Sequence, residues 1–165
     1  MKLILWVLSC FLGLTAYTQK PAAIVRADTS VGDILFNKSI DDSSFRLCDP
    51  VRVFQYYNTD AYFLDHKDSF SRYFLSNYKP VPGVEGYITV KFIINCEGST
   101  GRFRLSEMDR NYQPCHFDQR ISGQLLSLVR ALKNWEPALY KGKHYDNYQY
   151  ITFHLQNGKI VSISP

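Results

Sequence analysis

The sequence predicts an α+β fold: a small antiparallel sheet of three to four strands, covered on one face by one main helix and preceded by a short helix and an N-terminal extension. Three observations carry this. Residues 87–94, 102–105 and 148–155 alternate apolar and polar side chains, the pattern of half-buried strands. Between the second and third runs, Ile121, Leu125, Leu128, Leu132 and Trp135 recur at spacings of four, three, four and three, which makes an apolar helical stripe over residues 117–135. After the third run, Asn157-Gly158 is a two-residue hairpin signal, so Lys159 to Ile163 should fold back as a fourth strand. One helix laid over one face of the sheet buries both stripes.

Taken in order, the chain opens with Met1-Lys2 and an apolar stretch from Leu3 to Leu14, too short to span a bilayer comfortably. Ala16-Tyr17-Thr18 supplies small residues for cleavage before Gln19, so residues 1–18 are expected to be a signal peptide; the alternative is an uncleaved anchor. Val7-Leu8-Ser9-Cys10 also resembles a lipobox that would acylate Cys10. Membrane contact is expected only if Cys10 is lipidated or the leader is retained.

Residues 19–62 form an extension expected to pack on the domain. Its short apolar groups, Ala22-Ala23-Ile24-Val25 and Ile34-Leu35-Phe36, read as edge strands or an irregular arm, and Val51 to Tyr57 as a strand after the Asp49-Pro50 turn. The domain proper is residues 63–165. It starts with a helix from Asp65 to Tyr78, capped by Asp65 and stopped by Lys79-Pro80-Val81-Pro82-Gly83. At the far end of the main helix, Trp135 is placed to cover the dry face of the sheet and Pro137 to forbid further helix, while Gly142 permits the turn into the last long strand.

Without the leader, Cys48, Cys96 and Cys115 remain. Cys96 falls in the turn between the first two strands, and the chain then runs the length of a strand before Cys115. The two should sit about 15–20 Å apart at strand rise, whereas a bridge tolerates a Cα separation of about 7 Å. The expected disulfide is therefore Cys48–Cys96, stapling the extension to the hairpin tip. The alternative is three buried, unrelated thiols.

Hydrophobic residues make up 45% and charged residues 21%, which suits a folded core. The net charge of +4 is spread along the chain with no basic block, so nucleic acid is not an expected partner. His66, His116, His144 and His154 show no metal-ligand spacing, and no nucleophile elbow is present, so neither a metal, a cofactor nor a catalytic residue is expected. Asp41-Asp42 reads as a solvated loop pair. Lys91, Arg102, Arg104 and His154 fall on the outer face of the sheet, out of phase with the apolar series; a solvated face and an anionic partner both explain them. Val161 and Ile163 would join His154 on that face, which the extension is expected to cover.

From Val84 onward the order of residues resembles the TonB C-terminal domain family. The matching features are Gly83-Val84-Glu85-Gly86-Tyr87-Ile88-Thr89-Val90 entering the first strand, the Gly98 turn, and a helix with Leu125 and Val129. They continue with the Trp135-Glu136-Pro137 exit, the Gly142-Lys143 turn and a last strand alternating Ile151, Phe153 and Leu155. Gly86, Trp135 and Pro137 are its structural positions. The resemblance covers roughly the last hundred residues and implies a non-catalytic module that adds an extended peptide to a sheet edge. The partner implied is a cell-envelope protein such as an outer-membrane transporter. By position that edge is Asn147 to His154, with Asn147, Tyr148, Gln149, Tyr150, Thr152 and His154 as partner-binding residues. The place implied is the periplasm or cell envelope of a Gram-negative-type bacterium. Two departures count against the energy transducer itself: no proline-rich span is present, and a fourth strand would occupy the docking edge. A stand-alone exported relative is the expectation, and a self-capped structural envelope protein without peptide capture is its rival.

Overall fold

The computed structural model describes residues 34–56, 62–63 and 67–164. The expected leader with Cys10, the Ala22–Val25 group, Tyr57 and the expected cap at Asp65 lie outside these residues. The elements are β1 (Tyr62–Phe63), α1 (Lys67–Asn77), β2 (Gly86–Ile94), β3 (Thr100–Asp109) and α2 (Gln119–Ala131). They are followed by β4 (Trp135–Glu136), β5 (Ala138–Tyr140), β6 (Lys143–Tyr145), β7 (Asn147–Gln156) and β8 (Lys159–Ser164). The fold is α+β. Its main sheet is four-stranded and antiparallel in the order β3-β2-β7-β8, with β5 and β6 as a small hairpin and β1 paired to β4.

The alternating sequence of β2 turns Ile88, Val90, Phe92 and Ile94 inward, where they meet Leu105 of β3 and Ile151, Phe153 and Leu155 of β7. The stripe of α2 (Ile121, Leu125, Val129) closes over them, and α1 adds Phe70 and Phe74. Phe74 meets Phe153 edge-on at 4.9 Å, and Trp135 meets Phe92 at 5.2 Å. Asp118 caps α2 by accepting from the Arg120 backbone N–H.

α2 is shorter than the stripe predicted. It ends at Ala131 because Leu132 turns extended and Asn134 adopts φ 64°, so Trp135 enters the core from β4 and not from the helix. Pro137 then separates β4 from β5 and plays no part in stopping the helix. Gly86 is required where it stands: its φ is 143°, and a Cβ there would lie 2.2 Å from the Met108 carbonyl oxygen. Both short turns follow their sequences, with positive φ at Lys141-Gly142 and at Asn157-Gly158.

The register of β8 departs from expectation. A bulge opposite His154 and Leu155 shifts the pairing, so Ile163 faces Phe153 and packs, with Ile160, against the main core. Only Val161 stays half-exposed. Residues 51–56 are likewise no strand: they hold a single parallel bridge from Phe54 to Asn147. Residues 34–37 are irregular.

Candidate functional site

The expected docking edge, β7, is an interior strand. β2 pairs with it from Asn147 to Leu155 on one side. On the other, β8 takes Thr152 to Gln156, and Phe54 takes the start, its N–H donating to the Asp146 carbonyl at 2.8 Å while its carbonyl accepts from Tyr148 N–H at 2.9 Å. That corrects the expected accessibility of Asn147–His154: the hairpin signal at Asn157-Gly158 had already placed a fourth strand there, and the Phe54 bridge closes the other end.

The six residues singled out for partner contact part company accordingly. Asn147 is buried, its Oδ1 accepting from Ala138 N–H and its amide donating to the Tyr148 carbonyl. Gln149 is also buried, and Tyr148 packs with Ile34 and Ile93 on the outer face. Tyr150 meets Tyr56 edge-on at 4.9 Å and carries the Lys91 ammonium over its ring. Thr152 shares a hydroxyl hydrogen bond with Thr89, and His154 stacks on Tyr87, which stacks in turn on Tyr112.

What covers the outer face is residues 34–56, a strap without regular structure. Its apolar side chains (Ile34, Phe45, Leu47, Val53) close on Ile93, Tyr148 and Tyr150. Three fixtures, one covalent and two polar, hold it. The Cys48–Cys96 disulfide, with 6.0 Å between the Cα atoms, staples it to the turn between β2 and β3. The buried Asp146 carboxylate accepts from Asp49 N–H at 2.9 Å and Cys96 N–H at 2.8 Å, one oxygen to each side of the bridge. Asp41 receives both terminal nitrogens of Arg104, at 2.7 and 2.8 Å, and its side chain is 2% exposed. Asp41 is thus no solvated loop charge, and Arg104 no solvated face.

The Phe45 ring lies against the backbone of Gly101, where a Cβ would come within 2.4 Å. Gly101→Ala should therefore lift the strap and cost about 1–3 kcal/mol, the range for overpacking. Denaturant titration with hydrogen exchange checks this: loss of protection should be confined to residues 34–56, and a loss spread through α2 would contradict it.

A carboxylate, a hydroxyl and an imidazole do meet on the inner face. Buried Glu107 accepts from the Ser122 hydroxyl and from Phe117 N–H, with His116 Nδ1 3.5 Å away. The arrangement does not suit a nucleophile: Ser122 is fully buried and closed to a substrate, and the imidazole stands at the other oxygen of the carboxylate and not beside the hydroxyl. The group ties α2 to β3. Beside it, the free Cys115 thiol is pushed up by burial and by the charges of Glu107 and Asp109, which keeps it protonated. Cys48, Cys96 and Asp146 bring potential ligand atoms within 4.8 Å of one another, but the two sulfurs are spent in their bridge and both carboxylate oxygens are bonded to backbone. Sequence reasoning missed Asp146 and Asp41, since a lone acid carries no signal for a contact 97 or 63 residues away.

The main sheet has two edges, β3 and β8. The far end of β3 is taken by the Met108–Pro114 bridge and by Cys115 N–H donating to the Glu107 carbonyl, whereas among the described residues nothing pairs with the outward edge of β8. Its composition, Lys159-Ile160-Val161-Ser162-Ile163-Ser164, is β-branched and small, with no proline and its single charge at the start.

No protein-family model, no curated protein and no solved structure matches the chain. What the molecule does is argued from its own residues and from the order of its elements.

Proposed function

We propose that the chain is a non-catalytic, exported binding module of the cell envelope, which takes an extended peptide of another envelope protein onto the β8 edge of its sheet. The observation that carries this reading is that edge: β8 is one of the sheet's two edge strands, and unlike β3, whose end is bridged by Pro114, it has neither strand nor bridge on its outer side among the described residues. Main-chain hydrogen bonds would supply affinity, and the half-exposed Val161 a contact for alternate side chains of the partner. The sheet roofed by one helix agrees with the resemblance to the TonB C-terminal domain. The class of partner, a peptide of an outer-membrane transporter, is taken from that resemblance. The disulfide suits an oxidising compartment, which favours export.

A structural role without peptide capture has one observation of its own, the covering of β7 by both β8 and Phe54. The two readings part in a single experiment. Extended peptides selected against the oxidised chain should protect backbone amides of Lys159–Ser164 from exchange, and Val161→Lys should weaken their binding about tenfold while shifting stability by no more than about 0.5 kcal/mol. Selected peptides that leave β8 unprotected, or a library that yields none, would favour the structural role.

A further inference from the structure

We propose that the cleft between the strap and the last turn of α2 binds a phosphate-bearing ligand. The cleft is a cavity of about 460 Å³ whose walls include Asp42, Arg102, Phe103, Arg130 and Lys133. It shares Asp42, Thr100 and Lys133 with a neighbouring cavity of about 620 Å³, so a ligand larger than the anion itself has somewhere to extend.

The charge balance of this cleft is lopsided. Asp41 belongs to its wall, but both its oxygens are committed to Arg104, and one of them also to Asn37 N–H at 2.7 Å. Asp42 is the remaining carboxylate; it accepts from the N–H and hydroxyl of Ser44, each at 2.7 Å, and the charge acting on it is that of Arg46. Against it stand Arg102, Arg130 and Lys133, none of which forms an ion pair with a described residue.

Arg130 is the sharpest case. Its guanidinium is half-buried, lies 5.4 Å from the centroid of the Phe103 ring, and donates no hydrogen bond to any described residue. Burial pushes its pKa down and the charge of Arg104 adds to this, against the pull of Asp41. Its nitrogens still meet water, and the donor at the cleft that is withdrawn from water without an acceptor is Arg102 Nε, a state that is unfavourable and that an oxyanion would relieve. Arg102 is similarly under-used: its one hydrogen bond, to the Ile34 carbonyl, is long at 3.3 Å, and its Nε has no acceptor. Two arginines and a lysine lining one cavity offer more cationic donors than a single carboxylate, which one fork would satisfy, and suit a tetrahedral dianion with several oxygens better.

The test uses the full oxidised chain and two probes at constant ionic strength. Inorganic phosphate is titrated while amide resonances of Thr100, Arg130 and Lys133 are followed by NMR; phosphatidylglycerol vesicles are compared with phosphatidylcholine vesicles by co-sedimentation. Saturable binding of either probe is expected, weakened about tenfold or more by Arg130→Gln. Arg110→Gln, which removes the same charge from another face, should bind as the parent does. Should Arg130→Gln fail to fold, Lys133→Gln, an exposed position, serves in its place. Binding of phosphate assigns a soluble phosphate ligand, and binding of the anionic vesicles alone assigns a lipid headgroup; both support the site. No saturation with either probe, or equal losses in Arg130→Gln and Arg110→Gln, would overturn it.

Discussion

Replacing Cys48 and Cys96 together by serine should lower the free energy of unfolding by about 4 kcal/mol. The bridge closes a loop with a sequence separation of 48, and the chain-entropy relation gives about 4 kcal/mol for a loop of that length. Against the 5–15 kcal/mol that holds a typical domain together, this is a large share. The cause lies in the unfolded chain, which gains freedom once the loop is open, so the folded strap need not leave its place. Asp146 still holds Asp49 and Cys96 by their N–H groups, Arg104 still grips Asp41, and Phe45 still covers Gly101. In urea, the midpoint of the serine variant should therefore fall while its slope rises, because an uncrosslinked chain exposes more surface on unfolding. Cys48 is exposed, so a mild reductant should reach the bridge and give the same result, with Cys115 blocked beforehand. A loss of less than about 1 kcal/mol in the free energy of unfolding would mean that opening the loop frees the unfolded chain far less than the chain-entropy relation requires.

The parts of this molecule that were legible in the sequence are those whose signals are local. Alternation in Tyr87–Ile94 and Tyr148–Leu155 and the four-three spacing of α2 each lie within one element, and the sheet and its roof follow from them. The cysteine pairing was legible for a related reason: strand rise alone separates Cys96 from Cys115. The end of α2 was misjudged because Trp135 keeps the phase of the stripe, although the chain leaves the helix at Leu132 and reaches the same core by way of a left-handed Asn134. The β8 bulge was invisible because one extra residue in a strand leaves no mark on composition, yet it moves Ile163 from one face to the other. The strap is the hardest case. The disulfide, the Arg104–Asp41 pair and the Asp146–Asp49 bond that hold it join positions 48 to 97 residues apart, and its segment has neither helical nor strand periodicity to place it. The cationic cleft depends on the strap, so it too appears only in the fold: Arg130 and Lys133 follow each other on α2 and just beyond, but Arg102 joins them across a β-bulge and Asp41 leaves the balance only because Arg104 takes it.

That last contact carries the second large effect. Arg104→Met should cost about 3–5 kcal/mol, because it takes from the buried Asp41 carboxylate its paired countercharge and takes a donor from the Leu35 carbonyl as well. Arg104→Met combined with Asp41→Leu should cost less than Arg104→Met alone, since an apolar pair of similar bulk removes the stranded charge together with its partner. The same pair makes the strap sensitive to acid. Burial acts to raise the pKa of Asp41, and the hydrogen bonds from Arg104 and Asn37, with the charges of Arg104 and Arg102, outweigh it, so the folded carboxyl titrates below its ordinary value of 3.8. The ionised form is then favoured in the folded state: its contribution is complete above the unfolded pKa and disappears as the pH falls through the folded one. Stability of the parent should therefore decline from about pH 4 downward more steeply than that of Asp41→Asn, which has no charge to lose at that position. Urea titrations of both proteins at stepped pH values, with hydrogen exchange over residues 34–56, read the difference. Parallel pH profiles for the two would show that Asp41 is not the group through which acid loosens the strap, and an Arg104→Met variant as stable as the parent would show that the pair does not hold it.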